Sequence, residues 1–319
     1  MASFRKALLL YNPVSGALIH QRIEIVAELE RMLRDTGAEV RTEPTRHAGS
    51  AGTQARQAIE KGCDAVFVCG GDGTVLDVLQ GVVGTEAVLG AVPLGTGNIL
   101  ANDLGLPRNP RKAMRRLLGY EPRKIAVGKI TCNDGALSRY FTVCGGVGVH
   151  AELVYRSTAM VKQARGPIAY YLAGFQLLLR HEFVPFEIEY TDLSGEVHRG
   201  QALEIVAMRV SSFGALLSRF RPGSGLETNH FELILLKKSS RSAMLRYTLQ
   251  AIAGGIQGEE RSYGDDVSFA RARHVVCKPL DVHAQRVRVQ ADGELLGIMP
   301  AEITLVPDAL NLLMPPVTE

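Results

Sequence analysis

The feature that most constrains the fold is a glycine-rich segment, VFVCGGDGTVL at residues 66–76, in which an apolar run leads into a helical pattern. It predicts a buried strand over Ala65–Cys69 and a helix over Thr74–Val83. Glycines without a Cβ atom let phosphate oxygens approach backbone N–H groups, and the helix N-terminus adds positive potential. The segment is neither a GxGxxG fingerprint nor a P-loop, since no GK(S/T) occurs in the chain. A plain strand-to-helix turn is the alternative interpretation.

Two further turns follow predicted strands, YNPVSG at residues 11–16 and PLGTGN at residues 93–98. The carboxyl ends of parallel strands meet at one sheet edge, where ligands bind, so we expect all three turns to lie together. Their small polar side chains suit phosphate and ribose oxygens: Asn12, Ser15, Thr74, Thr96 and Asn98. Asp72 would repel a phosphate, which indicates that its carboxylate holds Mg²⁺ or accepts a proton.

The first third of the chain alternates short apolar strands with helices, which predicts a Rossmann-like parallel-sheet α/β domain covered on both faces. Its other elements are expected at Lys6–Leu10, Ile23–Leu33, Glu39–Arg41, Ala51–Lys61, Ala87–Val92 and Asn109–Leu118. Beyond about residue 125, period-two alternation predicts a mostly-β, antiparallel, β-sandwich-like domain. Its strands are expected at Lys124–Ile130, Arg139–Cys144, Phe186–Thr191, Leu203–Val210, Phe231–Leu236, His274–Lys278, Arg286–Ala291 and Ile303–Val306, with helices at Pro167–Leu179 and Ser242–Gly254.

Composition excludes several classes of protein. With 46% apolar and 22% charged residues, the 319-residue chain is neither disordered nor coiled-coil, and a net charge of +3 is too small for a polybasic protein. Five cysteines without a CxxC pair argue against a disulfide framework or a zinc knuckle and indicate a reducing cytosol. The apolar run Ala7–Leu10 is too short for a signal peptide, and no uncharged stretch reaches the ~20 residues of a spanning helix.

Together, NPxSG, strand-GGDGT and PLGTGN resemble the diacylglycerol kinase catalytic family, which includes bacterial diacylglycerol kinases, sphingosine kinases and ceramide kinases. The similarity continues through nearly the whole chain. The further matching positions are Thr45, Asn98–Ala101, Leu104–Pro107, Gly145–Gly148 with Ala151 (a turn in the family pattern), Asp292–Glu294, Pro300, Ile303, Pro307–Leu310 and Met314-Pro315.

The resemblance implies an ATP-dependent lipid kinase that transfers the γ-phosphate to a lipid hydroxyl, most simply that of diacylglycerol, with Mg²⁺. It implies a nucleotide-binding domain at residues 1–125, a β-rich lipid-substrate domain at 126–306 and a tail at 307–319 that returns to the first domain. The nucleotide-binding residues would be Asn12, Pro13, Ser15, Gly16, Thr45, Gly70, Gly71, Asp72, Gly73, Thr74, Gly95, Thr96, Gly97 and Asn98.

An acidic pair near the C-terminus is the candidate for proton transfer. If the strand after Arg286 continues to Leu295, then Arg286, Arg288, Gln290, Asp292 and Glu294 share one face. A hairpin turn at Asp-Gly is the alternative. The resemblance assigns this pair a proton acceptor and a metal link, so we place Glu294 first as catalytic residue, then Asp292, with Asp72 as a third candidate.

Two departures from the family pattern are visible. Where the family usually has Leu-Asp-Asp-Gly with a metal-linked aspartate, this chain has Leu226-Glu227-Thr228-Asn229, so only Glu227 remains as a candidate metal ligand. The usual Gly-Lys after NPxSG is also missing, and Arg22 is the nearest cation. His20, His150 and His230 are interpreted as local hydrogen-bond formers.

A basic cluster indicates a route to a lipid substrate at a membrane: Arg108, Arg111, Lys112, Arg115, Arg116, Arg123 and Lys124. Its helical part could touch an anionic membrane, although the solvated face of a sheet-covering helix is the alternative. Pro167–Leu179 and Phe213–Leu217 could accept acyl chains or simply pack. We therefore expect a cytoplasmic enzyme, peripheral to the inner membrane face, with a lipid substrate and no nucleic-acid partner. The oligomeric state stays open, homodimer included.

Two other functions remain. One is an NAD kinase or small-metabolite kinase of the same superfamily, which uses a similar GGDGT turn. The other is a catalytically inactive nucleotide-binding regulator, for which the altered stretch at Leu226–Asn229 is the support.

Overall fold

The computed structural model describes residues 4–15, 21–152, 154–155, 184–211, 225–237 and 267–316. The chain divides into two compact units, Met1–Val127 with Pro307–Glu319 and Gly128–Val306. Gly16, His20, both predicted helices of the second half and the segment Phe213–Leu217 lie outside the described residues.

The first unit is built on a parallel sheet. Its strands are β1 (Lys6–Tyr11), β2 (Glu39–Pro44), β3 (Ala65–Gly70) and β4 (Val88–Pro93), in the spatial order β2-β1-β3-β4. Its helices are α1 (Arg22–Arg34), α2 (Ala51–Glu60), α3 (Asp72–Val82), α4 (Ile99–Asp103) and α5 (Pro110–Leu117). Every residue of β3 is buried, as a central strand covered on both faces requires.

The helices form two layers, because the strand order reverses direction after β2. Right-handed crossovers then place α1 on one face of the sheet and α2 with α3 on the other. The contacts agree, since α1 packs against α5 and α2 packs against α3. The prediction of a doubly covered parallel sheet is confirmed.

The second unit is antiparallel. Its strands are β5 (Glu121–Cys132, in this unit from Gly128 on), β6 (Leu137–Phe141), β7 (Cys144–Gly148), β8 (Phe186–Asp192), β9 (Val197–Ala202), β10 (Glu204–Met208), β11 (Phe231–Leu236), β12 (Val267–Pro279), β13 (Arg288–Ala291), β14 (Glu294–Ile298) and the first part of β15 (Ala301–Met314). One path runs β14-β13-β7-β10-β11-β12. The long β12 pairs with β11 through its first half, then with β8 and β15 through its second. The predicted β-sandwich-like class is confirmed, since a strand shared between two sheet regions is typical of such domains.

Two predicted elements of this unit are wrong. The strand expected over Arg139–Cys144 is two strands, because β6 ends at Phe141 and β7 begins at Cys144. The glycine stretch Gly145–Gly148, expected as a turn, lies within β7 and is buried. Its glycines provide space: a Cβ on Gly145 would lie 2.7 Å from the ring of Phe141, and one on Gly146 would lie 2.8 Å from Nε2 of Gln290.

The last strand of the chain contributes to the first unit. Asn311 and Leu312 of β15 pair in parallel with Val88 and Leu89 of β4. Leu312 is fully buried, so residues from the far end of the sequence complete the core beside the first residues of β4.

Candidate active site

Three turns lie at the carboxyl edge of the parallel sheet, after β1, β3 and β4. The order β2-β1-β3-β4 places a topological switch point between β1 and β3, where loops leave toward opposite faces and ligands bind. Asn12 follows β1 and donates from Nδ2 to Oγ1 of Thr74 on α3, at 3.0 Å. The first two turns are therefore joined across the switch point.

The second and third turns touch through their glycine backbones. A Cβ atom on Gly95 would lie 2.5 Å from Cα of Gly71, and a Cβ on Gly70 would lie 2.6 Å from Cβ of Thr74. Neither glycine can carry a side chain without displacing main chain or α3. This close approach is the structural reason for the Gly-Gly and Leu-Gly-Thr-Gly sequences.

The carboxylate of Asp72 connects the second turn to the third. Its Oδ2 accepts from the backbone N–H of Asn98 at 2.8 Å, and Oδ1 accepts from that of Ile99 at 2.6 Å. Gly97 makes room for it, since a Cβ there would lie 2.5 Å from Oδ2. Burial raises the pKa of Asp72 above its usual value, and the N–H donors oppose that rise. Asp72 therefore caps α4 and holds the shape of the third turn.

The side chain of Asn98 also stabilises the third turn from within. Its φ of 50° lies in the left-handed region, its Oδ1 accepts from the N–H of Gly95 at 2.9 Å, and its Nδ2 donates to the carbonyl of Gly95 at 2.7 Å. With 8% of its surface exposed, Asn98 shapes the loop, whereas Thr96 is exposed.

Arg22 organises the first turn. Its guanidinium is buried and donates to the carbonyl oxygens of Pro13 and Ser15. Thr45 lies beside this turn, because its N–H donates to the carbonyl of Tyr11 at 2.8 Å. The predicted nucleotide-binding residues that the structure describes therefore lie along one sheet edge, and Arg22 binds two carbonyl groups of the first turn.

In the second unit the acidic pair lies on a hairpin. The chain turns at Asp292 and Gly293, whose φ values are 46° and 81°, between β13 and β14. The continuous strand considered from periodicity is wrong, because two successive residues with positive φ form a tight hairpin turn. Arg286 also falls outside the strand, in a 3₁₀ turn over Ala284–Arg286. The five side chains therefore do not share one strand face.

The two carboxylates of the hairpin differ in their surroundings. Asp292 accepts three backbone N–H groups, those of Thr142 at 2.9 Å, Val143 at 2.9 Å and Cys144 at 2.8 Å, and so fixes the start of β7. Glu294 is exposed at the first residue of β14. Proton acceptance at either residue stays a prediction, and the geometry gives Asp292 a positioning role in addition.

The stretch that replaces Leu-Asp-Asp-Gly surrounds an arginine. Arg209 is 1% exposed and donates to the main-chain oxygens of Leu226, Thr228 and His230. Burial lowers the pKa of Arg209 to about 10, so the guanidinium is charged at neutral pH. The exposed Glu227 is the one acidic residue in this loop. The main-chain oxygens of this loop already accept hydrogen bonds from a buried cation, so their arrangement does not fit a divalent metal ion.

Sequence reasoning did not find a cavity of about 510 Å³ in the second unit. Apolar Val149, Leu203 and Val287 line it together with basic side chains, His283, Arg286 and Arg288. Arg288 donates to Glu152 at 2.6 Å and lies 3.6 Å from the ring centroid of Tyr155. The alternating positions of Arg286 and Arg288 can be read from the sequence. The residues of other segments that line the cavity with them, such as Val149 and Leu203, cannot.

Much of the basic cluster is engaged in contacts within the first unit. Arg111 pairs with Glu28, Arg123 donates to the carbonyl of Pro315, and Lys124 lies 3.0 Å from Glu86. Lys112 and Arg115 are exposed on α5. No helix in the described part of the chain combines the length and apolar character needed to cross a bilayer.

Comparison with known proteins matches both units to defined families. Residues 6–130 match the diacylglycerol kinase catalytic domain, and residues 143–314 match the YegS C-terminal NAD kinase beta sandwich-like domain. A diacylglycerol kinase of Bacillus subtilis (strain 168) is 27% identical over 98% of this chain and 97% of its own. One from Staphylococcus saprophyticus is 25% identical over 98% and 96%.

Solved structures share the fold. A crystal structure of a diacylglycerol kinase from Bacillus anthracis str. Sterne has a TM-score of 0.71 at 19% identity and covers 99% of both chains. A second structure from that organism has a TM-score of 0.76 at 21% identity, also over 99% of both. Since the two family matches together span nearly the whole chain, the protein belongs to the diacylglycerol kinase catalytic family and is a kinase that acts on a lipid.

Proposed function

We propose that the protein transfers the γ-phosphate of ATP to the hydroxyl group of diacylglycerol or a closely related lipid. The observation that carries the proposal is the convergence of three glycine-rich turns at one sheet edge, where Asn12 bonds Thr74 and Gly71 meets Gly95. Curated relatives from Bacillus and Staphylococcus named diacylglycerol kinase support the lipid as acceptor.

The turns fit a nucleotide phosphate chain. Because their glycines have no side chains, phosphate oxygens can approach the backbone N–H groups of the turns. The first N–H groups of α3 lie at the same edge of the sheet. Ser15, Thr45, Thr74 and Thr96 would hydrogen-bond the phosphates and ribose, while Asp72 keeps the third turn in place. Magnesium bound with the nucleotide supplies neutralisation of the phosphate charge.

Glu294 is proposed as the acceptor of the hydroxyl proton. Its side chain is exposed on β14 and accessible to a substrate, and the carboxylates of Asp72 and Asp292 each accept backbone N–H groups that shape their turns. A hydroxyl that approached Asp72 or Asp292 would compete with these N–H groups, which hold the third turn and the start of β7 in place. The acidic residue that the resemblance ranks first is therefore also the one that the geometry favours.

The cavity of the second unit is proposed to hold the lipid. Its apolar wall suits acyl chains near the glycerol, and its basic side chains suit the polar end of the lipid. Replacing Val287 by Trp should raise the KM for the lipid severalfold and leave the KM for ATP unchanged. An equal rise in both KM values would argue against the cavity.

One assay tests the function. Purified protein is incubated with γ-labelled ATP, Mg²⁺ and, separately, diacylglycerol, monoacylglycerol, sphingosine, ceramide or NAD in mixed micelles. We expect label in diacylglycerol or monoacylglycerol. Label in NAD alone would replace the proposal with an NAD kinase, an alternative that the name of the C-terminal domain family keeps open. Measurable ATP binding with no labelled product would favour the inactive regulator.

Transient contact with an anionic membrane at the inner, cytoplasmic face is proposed to occur through α5. Lys112 and Arg115 are exposed on that helix, and each basic residue near an anionic surface contributes about 1 kcal/mol. The double variant Lys112→Glu/Arg115→Glu should sediment less with anionic liposomes at low salt. Lys61→Glu/Arg139→Glu, which changes two other exposed cations, is the matched control. Equal sedimentation of both variants would contradict this role.

A further inference from the structure

The loop between Gly225 and β11 is closed around one side chain. Nη1 of Arg209 donates to the main-chain oxygens of Thr228 at 2.6 Å and of His230 at 2.8 Å, and Nη2 donates to that of Leu226 at 2.8 Å. The side chain of Thr228 joins this set, since its Oγ1 lies 3.2 Å from Nη1. Three carbonyl groups from alternate residues thus point at a single buried cation.

Converging carbonyl oxygens are also the ligands that hard divalent ions take in proteins. The family pattern places a metal-linked aspartate in this stretch, yet this chain has Thr228 and Asn229 where the pattern has the second aspartate and the glycine. A metal ion at these carbonyl oxygens would lie against the guanidinium and be repelled by it. The carbonyl oxygens of the loop and the space between them are therefore occupied by the guanidinium of Arg209.

The geometry points to Arg209 as a built-in replacement for a structural divalent cation: the guanidinium orders the loop at 226–230, and the protein holds this loop without metal. Its planar fork suits the task, because guanidinium N–H groups can reach several oxygens in fixed directions. Arg209 follows β10 directly, and the loop leads directly into β11. The cation therefore ties the residue after β10 to the loop that enters β11.

A second arginine supports the same loop from β12. Nε of Arg273 donates to the main-chain oxygen of Asn229 at 2.9 Å. Within the loop, Oγ1 of Thr228 donates to the carbonyl of Gly225 at 2.9 Å. Of the five main-chain oxygens from Leu226 to His230, all except that of Glu227 thus accept hydrogen bonds from an arginine, which leaves no opening in the described loop for a metal to take several backbone oxygens.

The first test compares the wild type with Glu227→Gln, which removes the acidic side chain of the loop. Each protein is stripped with EDTA and melted without nucleotide, with and without 5 mM MgCl₂ at matched ionic strength. We expect Mg²⁺ to change the melting temperature of both proteins by the same amount. A larger rise in the wild type than in Glu227→Gln would place a metal at this loop and overturn the proposal.

The second test changes the cation itself. Arg209→Met removes the charge but keeps a long side chain, and Arg209→Lys keeps the charge without the fork. We expect the melting temperature to fall by several degrees in Arg209→Met and by less in Arg209→Lys, with wild-type behaviour for Arg199→Met, an exposed arginine on β9. A melting temperature of Arg209→Met equal to that of the wild type would show that the loop does not need the guanidinium. If Arg209→Met does not fold, the magnesium comparison decides the question, because it leaves Arg209 intact.

Discussion

Two carboxylates separated by one glycine, Asp292 and Glu294, meet different physical conditions. The carboxylate of Asp292 accepts three backbone N–H groups at the start of β7, and the side chain of Glu294 is exposed. Removing the charge of the first should damage the structure, and removing that of the second should damage the chemistry. Their spacing in the sequence gives no hint of this difference, since it arises from Thr142–Cys144, about 150 residues earlier in the chain.

The pair can be separated by two isosteric changes. Asp292→Asn should lower the free energy of unfolding by about 1–3 kcal/mol, because an amide cannot accept these N–H groups as a carboxylate does. Glu294→Gln should lower the urea unfolding midpoint less than Asp292→Asn does and reduce phosphoryl transfer about 100-fold or more. Urea titrations and the labelled-ATP assay measure both effects. Full transfer activity in Glu294→Gln would rule that residue out as the proton acceptor.

Two buried titratable groups of the second unit should affect stability in opposite directions with pH. Burial raises the pKa of Glu204 to about 7 and lowers the pKa of His150 to about 4. Because the folded pKa of Glu204 is the higher one, its contribution to stability is complete at low pH and is lost as pH rises from about 4.5 toward 7. His150 behaves in the opposite way, so its contribution is lost as pH falls from about 6.5 toward 4.

Glu204→Gln isolates the first of these effects. The amide oxygen can still accept the N–H of His150, which lies 3.1 Å from Oε1 of Glu204, but it carries no charge to bury. The variant should therefore gain stability over the wild type as pH rises from 5 to 8, by up to about 3 kcal/mol, since one pKa unit corresponds to about 1.4 kcal/mol. Melting curves across this range test the prediction. A stability difference that does not vary with pH would show that Glu204 does not titrate there.

At the residue scale the sequence predicts the composition of the nucleotide turns but not the hydrogen bonds that connect them. Glycine, threonine and asparagine are recognisable because each turn needs them within a few residues of its strand. Asp72 is different: its partners, Asn98 and Ile99, lie 26 and 27 positions away. Its interpretation as a metal holder or base could not anticipate that two backbone N–H groups already bind it. Arg22 illustrates the same limit, since its loop contacts depend on the path of the chain.

Among the elements, the α2–α3 contact depends on two glycines. A Cβ on Gly81 would lie 2.0 Å from the carbonyl oxygen of Gly52, and one on Gly52 would lie 2.4 Å from that of Asp77. Both obstacles are main-chain oxygens, which cannot move aside as a flexible side chain can, so the two helices would have to separate. The same packing brings the carboxylate of Asp77 within 2.7 Å of the N–H of Ala51 at the start of α2.

Gly81→Ala tests this packing against helix propensity. In an exposed helix the change would stabilise by roughly 1 kcal/mol, but overpacking here should destabilise by about 1–3 kcal/mol net. Thr53→Ala, at an exposed position of α2, is the control and should change stability by a few tenths of a kcal/mol. Urea unfolding followed by circular dichroism measures both. A Gly81→Ala protein more stable than the wild type would mean that the helices can move apart at little cost.

Element prediction succeeds where one cause dominates and fails where two compete. β1, β3 and β4 follow from apolar runs that end at glycine-containing turns, and they occur where expected. The glycines of β7 match a turn in the family pattern, but in this chain they lie in a strand and accommodate Phe141 and Gln290 from neighbouring elements. Alternation continues from β13 into β14, so periodicity alone allows one continuous strand or an Asp-Gly hairpin, and the structure has the hairpin.

For the whole molecule, the decisive fact is that the first unit is discontinuous in sequence. Its parallel sheet includes Asn311 and Leu312, which follow the whole second unit along the chain. The expectation that a C-terminal tail returns there came from the resemblance, because no local pattern reveals which sheet edge a terminal strand will join. Folding of the nucleotide-binding turns should consequently depend on residues more than 200 positions away from them.

Leu312→Ala tests this dependence directly. Leu312 is fully buried beside β4, so truncation should cost about 2–5 kcal/mol, and because β4 leads into the third turn, ATP binding should weaken as well. Leu295→Ala is the matched control, since Leu295 is 40% exposed and lies in the second unit; both its stability and its ATP affinity should stay close to wild type. Urea unfolding and titration with a fluorescent ATP analogue give the two readouts. If Leu312→Ala were destabilised but bound the analogue with wild-type affinity, the terminal strand would support the sheet without shaping the turns. Weakened binding at a temperature where the variant is still folded would show that the end of the chain helps to set the geometry of the site.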